Sequence, residues 1–252
     1  MITAPRTPGL ALAAVELRAL LRRPGATVVS ALLPVVLLAM TYVGTRPGTA
    51  AEWGATLGNY TVITVLVACY MNATTILASR RDLLVLKRLR TSEVSGTGLI
   101  LSVFLPLAGI VLVQLAVLYP GAVLTGAPLP ERPGLLLLAV VSAVPTCLAL
   151  AAATTALTAS AERAQFAVLP VFVSAALGGQ VVGGPFSDAL VWSMLTMPLV
   201  PSAALVGAGW GGDGITLPLD LPLVPSALAL NLLWCAAALV LAVRLWRWEP
   251  RP

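Results

Sequence analysis

The segment Leu135–Ala159, LLLLAVVSAVPTCLALAAATTALTA, contains twenty-five residues and no Asp, Glu, Lys or Arg. A helix that crosses a bilayer needs about 20 mostly apolar residues, because the hydrocarbon core is about 30 Å thick and each residue adds about 1.5 Å. The segment therefore predicts a transmembrane helix, and with it a membrane protein.

Six segments of this kind occur along the chain, and all of them lack charged side chains. Lipid cannot satisfy exposed backbone groups, so helices are the expected spanning form. We therefore predict an all-α membrane protein, built as one transmembrane domain over residues 1–252. The predicted spans are Thr27–Val43, Thr56–Ala78, Thr97–Thr125, Leu135–Ala159, Gln165–Phe186 and Leu223–Val243.

The composition of the 252-residue chain excludes a soluble enzyme. Hydrophobic residues make up 59% and charged residues 10%, with a mean hydropathy of +0.97. Soluble domains hold about 45–50% apolar and about 25% charged residues, and a globule of this size could not bury the excess. There is no histidine, and Cys69, Cys147 and Cys235 lie far apart in apolar runs. We therefore expect neither a metal site nor a disulfide framework.

The basic residues predict an orientation. With a cytoplasmic amino terminus, thirteen of the fifteen Lys and Arg residues fall in inner segments, and only Arg46 and Arg132 fall in outer ones. The positive-inside rule favours this arrangement, which places both termini in the cytoplasm. The alternative for the first span is a secretory signal, but no clean small-residue cleavage site follows it.

The residues before the first span predict a helix on the membrane surface. One arc about 100° wide at helical spacing in Pro8–Pro24, PGLALAAVELRALLRRP, holds Leu10, Ala13, Leu17, Leu20 and Leu21. Glu16 and the arginines lie outside that arc. Such a helix lies in the headgroup plane with its arginines towards anionic lipid. The alternative is a basic flank that only sets topology.

The segment Ser79–Ser95, SRRDLLVLKRLRTSEVS, is the densest cluster of charge, with five basic and two acidic residues. A short helix here would place its leucines towards lipid or a partner and its basic groups towards the cytosol. The alternative is an ordinary loop that obeys the positive-inside rule.

This loop resembles the first cytoplasmic loop of ABC-2 type transporter permeases, including daunorubicin-resistance-type transmembrane subunits. The family pattern runs roughly E-R-E-x-G-T-L-K-R-L-R-x-T-P. Arg80, Leu84 and Glu93 depart from it, where the first glutamate, the glycine and the proline are common. The layout of a surface helix followed by six spans is also similar. The matching residues, with an aspartate for the second glutamate, are Arg81, Asp82, Leu86, Lys87, Arg88, Leu89 and Arg90.

The resemblance implies partners and a location. In this family the loop is similar to a coupling helix that docks in a groove of a nucleotide-binding subunit, so the seven matching residues are expected to couple this chain to an ATPase. It further implies a permease homodimer with two ATPases in the bacterial plasma (inner) membrane. ATP and Mg would bind to the partner subunit, and this chain would bind no cofactor and no nucleic acid.

The sequence contains no evident source of energy for transport. An ion-driven transporter normally needs an ionisable group within its spans, and the six predicted spans contain none. A Gly-rich Walker motif is also absent. An intramembrane protease is excluded, since there is no histidine and no G-x-S-x-G elbow.

We therefore expect the permease subunit of an ATP-driven exporter, which is not itself an enzyme. The uncharged spans favour a hydrophobic or amphipathic cargo, drug-like or lipid-like, as in antibiotic efflux, although polysaccharide exporters use similar spans. The alternatives are a membrane scaffold or assembly protein and an ion-coupled secondary transporter.

Polar residues form stripes within the predicted spans. In the second span, one face about 80° wide at helical spacing carries Thr61, Thr64, Ala68, Asn72, Thr75 and Ser79. One interpretation is close helix packing through small residues and hydroxyls. The other is a translocation path, for which the candidate residues are Thr64, Asn72, Thr75 and Gln180.

The segment Ser187–Pro222 predicts a re-entrant or interfacial helical hairpin on the outer side. Its apolar part is interrupted by Pro198 and Pro201. A seventh span here would place the basic tail Arg244–Pro252 outside, against the charge rule.

Overall fold

The computed structural model describes residues 24–44, 46–82, 96–212, 215 and 217–246. Apart from its last residue, the predicted surface helix Pro8–Pro24 lies outside the described residues. The same holds for residues 83–95, which we call the charged loop and which include Leu86, Lys87, Arg88, Leu89 and Arg90, and for the end of the basic tail. Within the described ranges the regular structure is helical, with no strand.

Eight α-helices lie in the described residues. In chain order they are α1 (Pro24–Val43), α2 (Ala50–Asp82), α3 (Gly96–Leu124), α4 (Pro133–Leu157), α5 (Ala161–Val182, broken at Val168), α6 (Asp188–Leu195), α7 (Val200–Gly209) and α8 (Leu223–Leu245). A short 3₁₀ turn, Pro218–Asp220, precedes α8.

Five of these helices are long and apolar enough to cross a bilayer, and they overlap the second to the sixth predicted spans. They are Ala50–Asp82, Ile100–Leu124, Pro133–Leu157, Ala161–Val182 and Leu223–Leu245. The first predicted span lies within α1. The part of α1 with described side chains, Leu32–Val43, is apolar but shorter than a full span.

Helix α2 extends beyond both ends of the uncharged segment Thr56–Ala78 that predicts it. It begins at Ala50 because Thr49 and Glu52 form a capping box. The Thr49 hydroxyl accepts a hydrogen bond from the Glu52 amide at 3.2 Å, and the Glu52 carboxylate accepts one from the Thr49 amide at 3.3 Å. These contacts satisfy donors that a helix start otherwise leaves open. Residues Leu66–Met71 of α2 are wound as a π-helix.

Helices α6 and α7 form a sharply bent pair where the hairpin is predicted. The angle between them is 117°. Leu199, the residue before α7, has a left-handed backbone with a φ of 67°. A re-entrant hairpin and a broken span share this geometry, so the position of the pair relative to the membrane stays a prediction.

Helix α7 is buried against α2 through direct backbone contact. A Cβ atom at Gly58 would lie 2.5 Å from the carbonyl oxygen of Ala203, and one at Gly54 would lie 2.8 Å from that of Gly207. Small residues allow helices to approach this closely in a membrane protein. Helix α7 also packs on α4, α5 and α8, which places it in the core.

The outer surface of the helical body is apolar. Val113 on α3 and Leu232 and Leu233 on α8 are each 65% exposed, and α1 exposes further large apolar side chains. Such continuous apolar surface is costly in water and is the expected surface of a protein embedded in lipid. The chain is therefore a helical protein of membrane-embedded character.

Candidate functional site

The last turn of α2 leads directly into the charged loop, and it turns one basic residue inwards. Arg81 is only 1% exposed. It follows Leu77 by four positions and Ala73 by eight, and both of these are fully buried. Residues four apart share a helix face, so Arg81 extends the buried stripe of α2 instead of pointing into solvent.

The guanidinium of Arg81 binds the end of α4. Its Nη1 donates a hydrogen bond to the carbonyl oxygen of Thr155 at 2.6 Å. The last carbonyls of a helix have no partner within the helix, and a cation near this end also interacts favourably with the helix dipole. A buried charge needs such partners, because leaving it unpaired costs several kcal/mol, on the order of 3–5.

The neighbouring Asp82 binds the start of α5. Its Oδ2 accepts a hydrogen bond from the backbone amide of Ala161 at 2.6 Å. An anion at a helix N-terminus satisfies a free donor and is favoured by the dipole. The second oxygen, Oδ1, lies 3.9 Å from Nε of Arg81. We call these contacts of Arg81, Asp82, Thr155 and Ala161 the junction.

The junction joins three helices at the point where the charged loop begins. It brings together two of the seven predicted coupling residues and gives both of them partners within this chain. The other five lie outside the described residues, so contact with a second protein through them stays a prediction. The burial of Arg81 is not apparent from the composition of the loop.

The predicted polar stripe of α2 is divided between the core and the surface. Thr61 and Thr64 are fully buried. The Thr61 hydroxyl donates to the carbonyl oxygen of Leu57 at 2.7 Å and lies 2.8 Å from the hydroxyl of Tyr119 on α3. In this conformation Thr61 makes a contact between helices, as the packing interpretation expects, whereas the buried Thr64 hydroxyl has no hydrogen-bond partner among the described residues.

Asn72 and Thr75 are partly exposed and bind their own helix. The Asn72 side-chain amide donates to the carbonyl oxygens of Val67 at 2.9 Å and Ala68 at 3.3 Å. The Thr75 hydroxyl donates to the carbonyl oxygen of Met71 at 2.8 Å. Asn72 therefore supports carbonyl groups of the π-helical segment, where the regular bonding pattern changes.

Gln180 is exposed on α5 and lies far from Asn72. Its neighbour Gly179 packs on Asn59, since a Cβ atom at Gly179 would lie 2.5 Å from Oδ1 of Asn59. Asn59 precedes Asn72 by thirteen positions, which corresponds to about 20 Å along the helix. The structure therefore does not bring Asn72 and Gln180 together within one chain, and a shared translocation path stays a prediction.

A buried polar cluster that is not among the sequence predictions joins α4, α7 and α8. The side-chain amide of Asn231 donates to the hydroxyls of Ser142 and Ser202, each at 2.9 Å. The Thr146 hydroxyl donates to the main-chain carbonyl oxygen of Asn231 at 3.0 Å. The available signal was the isolated asparagine in the sixth apolar run, because polar residues in a membrane interior require partners.

A small cavity of about 200 Å³ lies between α2, α5 and α7. Its walls are small residues, among them Ala55, Gly179 and Ala203. Asn59 lies one turn after Ala55 on the same face and is 2% exposed, and neither amide atom has a hydrogen-bond partner among the described residues. Pockets for drug-sized ligands measure about 300–1,000 Å³, so the cavity is too small for such a cargo in this conformation.

No protein-family model matches the chain, and neither a curated protein nor a solved structure matches it. The resemblance to ABC-2 type permeases therefore rests on the loop residues and the layout of the spans.

Proposed function

We propose that the chain is the transmembrane permease subunit of an ATP-driven exporter for a hydrophobic or amphipathic cargo. A separate nucleotide-binding subunit hydrolyses ATP and binds the loop of residues 83–95. Two copies of the chain assemble as a dimer in the bacterial plasma membrane, with both termini in the cytoplasm.

The distribution of charge supports an external source of energy. Among the described residues, charged side chains occur only at helix ends and in connections, as for Glu52, Arg163 and Arg244. Transporters driven by ions normally hold ionisable groups within their spans. The described helix interiors offer neutral groups only, and those of Thr61 and Asn231 are engaged in contacts between helices.

The observation that carries the proposal is the attachment of the charged loop to the helical body. Through the junction, the loop begins at a rigid point that contacts α4 and α5 as well as α2. A loop that receives force from another protein needs such an anchor, since a freely hinged loop would absorb the movement locally. An ordinary topological loop has no such requirement.

The test is co-purification from native membranes with an affinity-tagged chain. We expect an ATPase with a Walker motif to co-purify with the wild type and to be lost when Leu86 and Arg88 are both replaced by aspartate. Arg244→Asp is the control, because it reverses a basic charge at an exposed position of another helix end. Retention of the ATPase by the double variant would contradict the proposed docking site.

A further inference from the structure

We infer that Arg81 and Asp82 are positioning residues, which transmit movement of the charged loop to α4 and α5 without themselves contacting the ATPase. The inference rests on the proposed function, since it takes the loop as the docking site. It assigns the two residues a different role from the other matching loop residues.

The hydrogen bonds of Arg81 and Asp82 are made at the two ends of the short connection between α4 and α5. Arg81 binds a carbonyl in the last turn of α4, and Asp82 binds the first amide of α5. Only residues 158–160 separate these helices. The end of α2 therefore cannot move away from this connection without breaking a bond to a helix terminus. The Thr155 carbonyl also accepts from the amide and hydroxyl of Thr158, at 3.3 and 3.1 Å, whereas the Ala161 amide is a first-turn donor with no partner within its own helix.

Further hydrogen bonds join α2 to α4 in the turns of α2 that precede the junction. The Tyr70 hydroxyl lies 2.8 Å from the hydroxyl of Thr154. The Thr155 hydroxyl donates to the carbonyl oxygen of Ala151 at 2.8 Å and lies 3.5 Å from that of Thr74. A displacement at the end of α2 therefore reaches α4 as well.

The π-helical segment divides α2 into two parts with different neighbours. Before Leu66–Met71, Gly54 and Gly58 contact the backbone of α7. After it, the helix contacts α4 and the start of α5. π-helical segments often occur at a bend in a helix or at a functional site. The part bound to the junction can thus tilt with the end of α4 and the start of α5, Ala161–Ala167, relative to the part bound to α7.

Hydrogen exchange of the purified complex tests this role with matched variants. Asp82→Ala removes the acceptor for the Ala161 amide, whereas Asp82→Asn keeps a side-chain oxygen there. Ala161→Pro removes the donor instead, and proline suits the first position of a helix. Arg163→Ala, an exposed cation two residues further on, is the control.

Without nucleotide, we expect the Ala161 amide to exchange about tenfold faster in Asp82→Ala than in the wild type, as for the loss of one local hydrogen bond. Asp82→Asn and Arg163→Ala should match the wild type. Equal exchange in Asp82→Ala and the wild type would overturn the inference, and so would equal loss of protection in Asp82→Asn and Asp82→Ala.

With a non-hydrolysable ATP analogue, exchange in the wild-type complex should change in residues 83–95 and also in residues 158–182. In Asp82→Ala and Ala161→Pro the ATPase should still co-purify, and the change should stay within residues 83–95. A response in residues 158–182 that persists in these variants overturns the inference, as does a wild-type response confined to the loop. If no ATPase co-purifies with the wild type, the proposed function fails, while the nucleotide-free comparison still tests the junction.

Discussion

Arg81 and Thr155 lie 74 positions apart in the sequence and are joined by a hydrogen bond of 2.6 Å from Nη1 to a main-chain oxygen. The bond links a side chain before the charged loop to the last turn of α4. A basic residue at a predicted cytoplasmic boundary is therefore part of the buried framework.

Replacing Arg81 with methionine should destabilise the protein. Methionine preserves much of the side-chain volume but leaves the Thr155 carbonyl and the Asp82 carboxylate without the cation. A hydrogen bond from a charged group contributes about 1.5–3 kcal/mol, and we expect a loss in this range because Asp82 is 31% exposed and keeps the Ala161 amide as a partner. Reversible unfolding in mixed micelles measures the change. Arg244→Met is the control, expected within about 0.5 kcal/mol of wild type; equal stability of the two variants would contradict the structural role.

The Asn231 cluster should show energetic coupling between helices. Asn231→Ala removes the donor to Ser202, and Ser202→Ala removes the acceptor. In membrane proteins, such hydrogen bonds contribute about 0.6 kcal/mol on average and up to about 1.7 kcal/mol. A double-mutant cycle on unfolding free energies should give a coupling in this range. A coupling of zero would mean that the two side chains do not interact in the protein.

The contact between α2 and α7 should leave no room for even one additional methyl group. Gly58→Ala places a Cβ atom 2.5 Å from the Ala203 carbonyl oxygen, and overpacking of this kind typically costs about 1–3 kcal/mol. Gly109→Ala in α3 is the matched control, because no atom lies within 4 Å of its Cβ position. Alanine there should be neutral or stabilising by up to about 1 kcal/mol. Equal effects of the two substitutions would contradict the packing of α7.

The proposed orientation predicts opposite labelling of two introduced cysteines. In a background with the three native cysteines replaced by alanine, Thr91→Cys should react with an impermeant maleimide only from the cytosolic side. Leu129→Cys lies between α3 and α4 at a position that is 75% exposed, and it should react only from outside. The reverse pattern would overturn the orientation.

The sequence predicts the apolar helices well because a span depends on local composition. The uncharged run Leu135–Ala159, for example, corresponds to the helix Pro133–Leu157. The start of α2 required a different local signal, the capping pair of Thr49 and Glu52. The absence of charged residues alone places the beginning of the helix at Thr56, which is later than its observed start at Ala50.

The tertiary contacts of the candidate site could not be predicted in the same way. The burial of Arg81 follows from its spacing after Leu77, but that spacing identifies a buried face only once the neighbours of α2 are known. The same holds for Asn231, whose partners belong to helices 29 and 89 positions away. The left-handed backbone of Leu199 has no local sequence signal, since glycine is the usual residue there.

Transport into sealed vesicles tests the central claim most directly. The purified chain is reconstituted with and without the co-purifying ATPase, and the movement of a fluorescent amphipathic dye and a fluorescent lipid is followed. We predict movement of at least one probe with ATPase and ATP, and none with a proton or sodium gradient alone. Gradient-driven movement in vesicles that contain only this chain would contradict the claim that another protein supplies the energy.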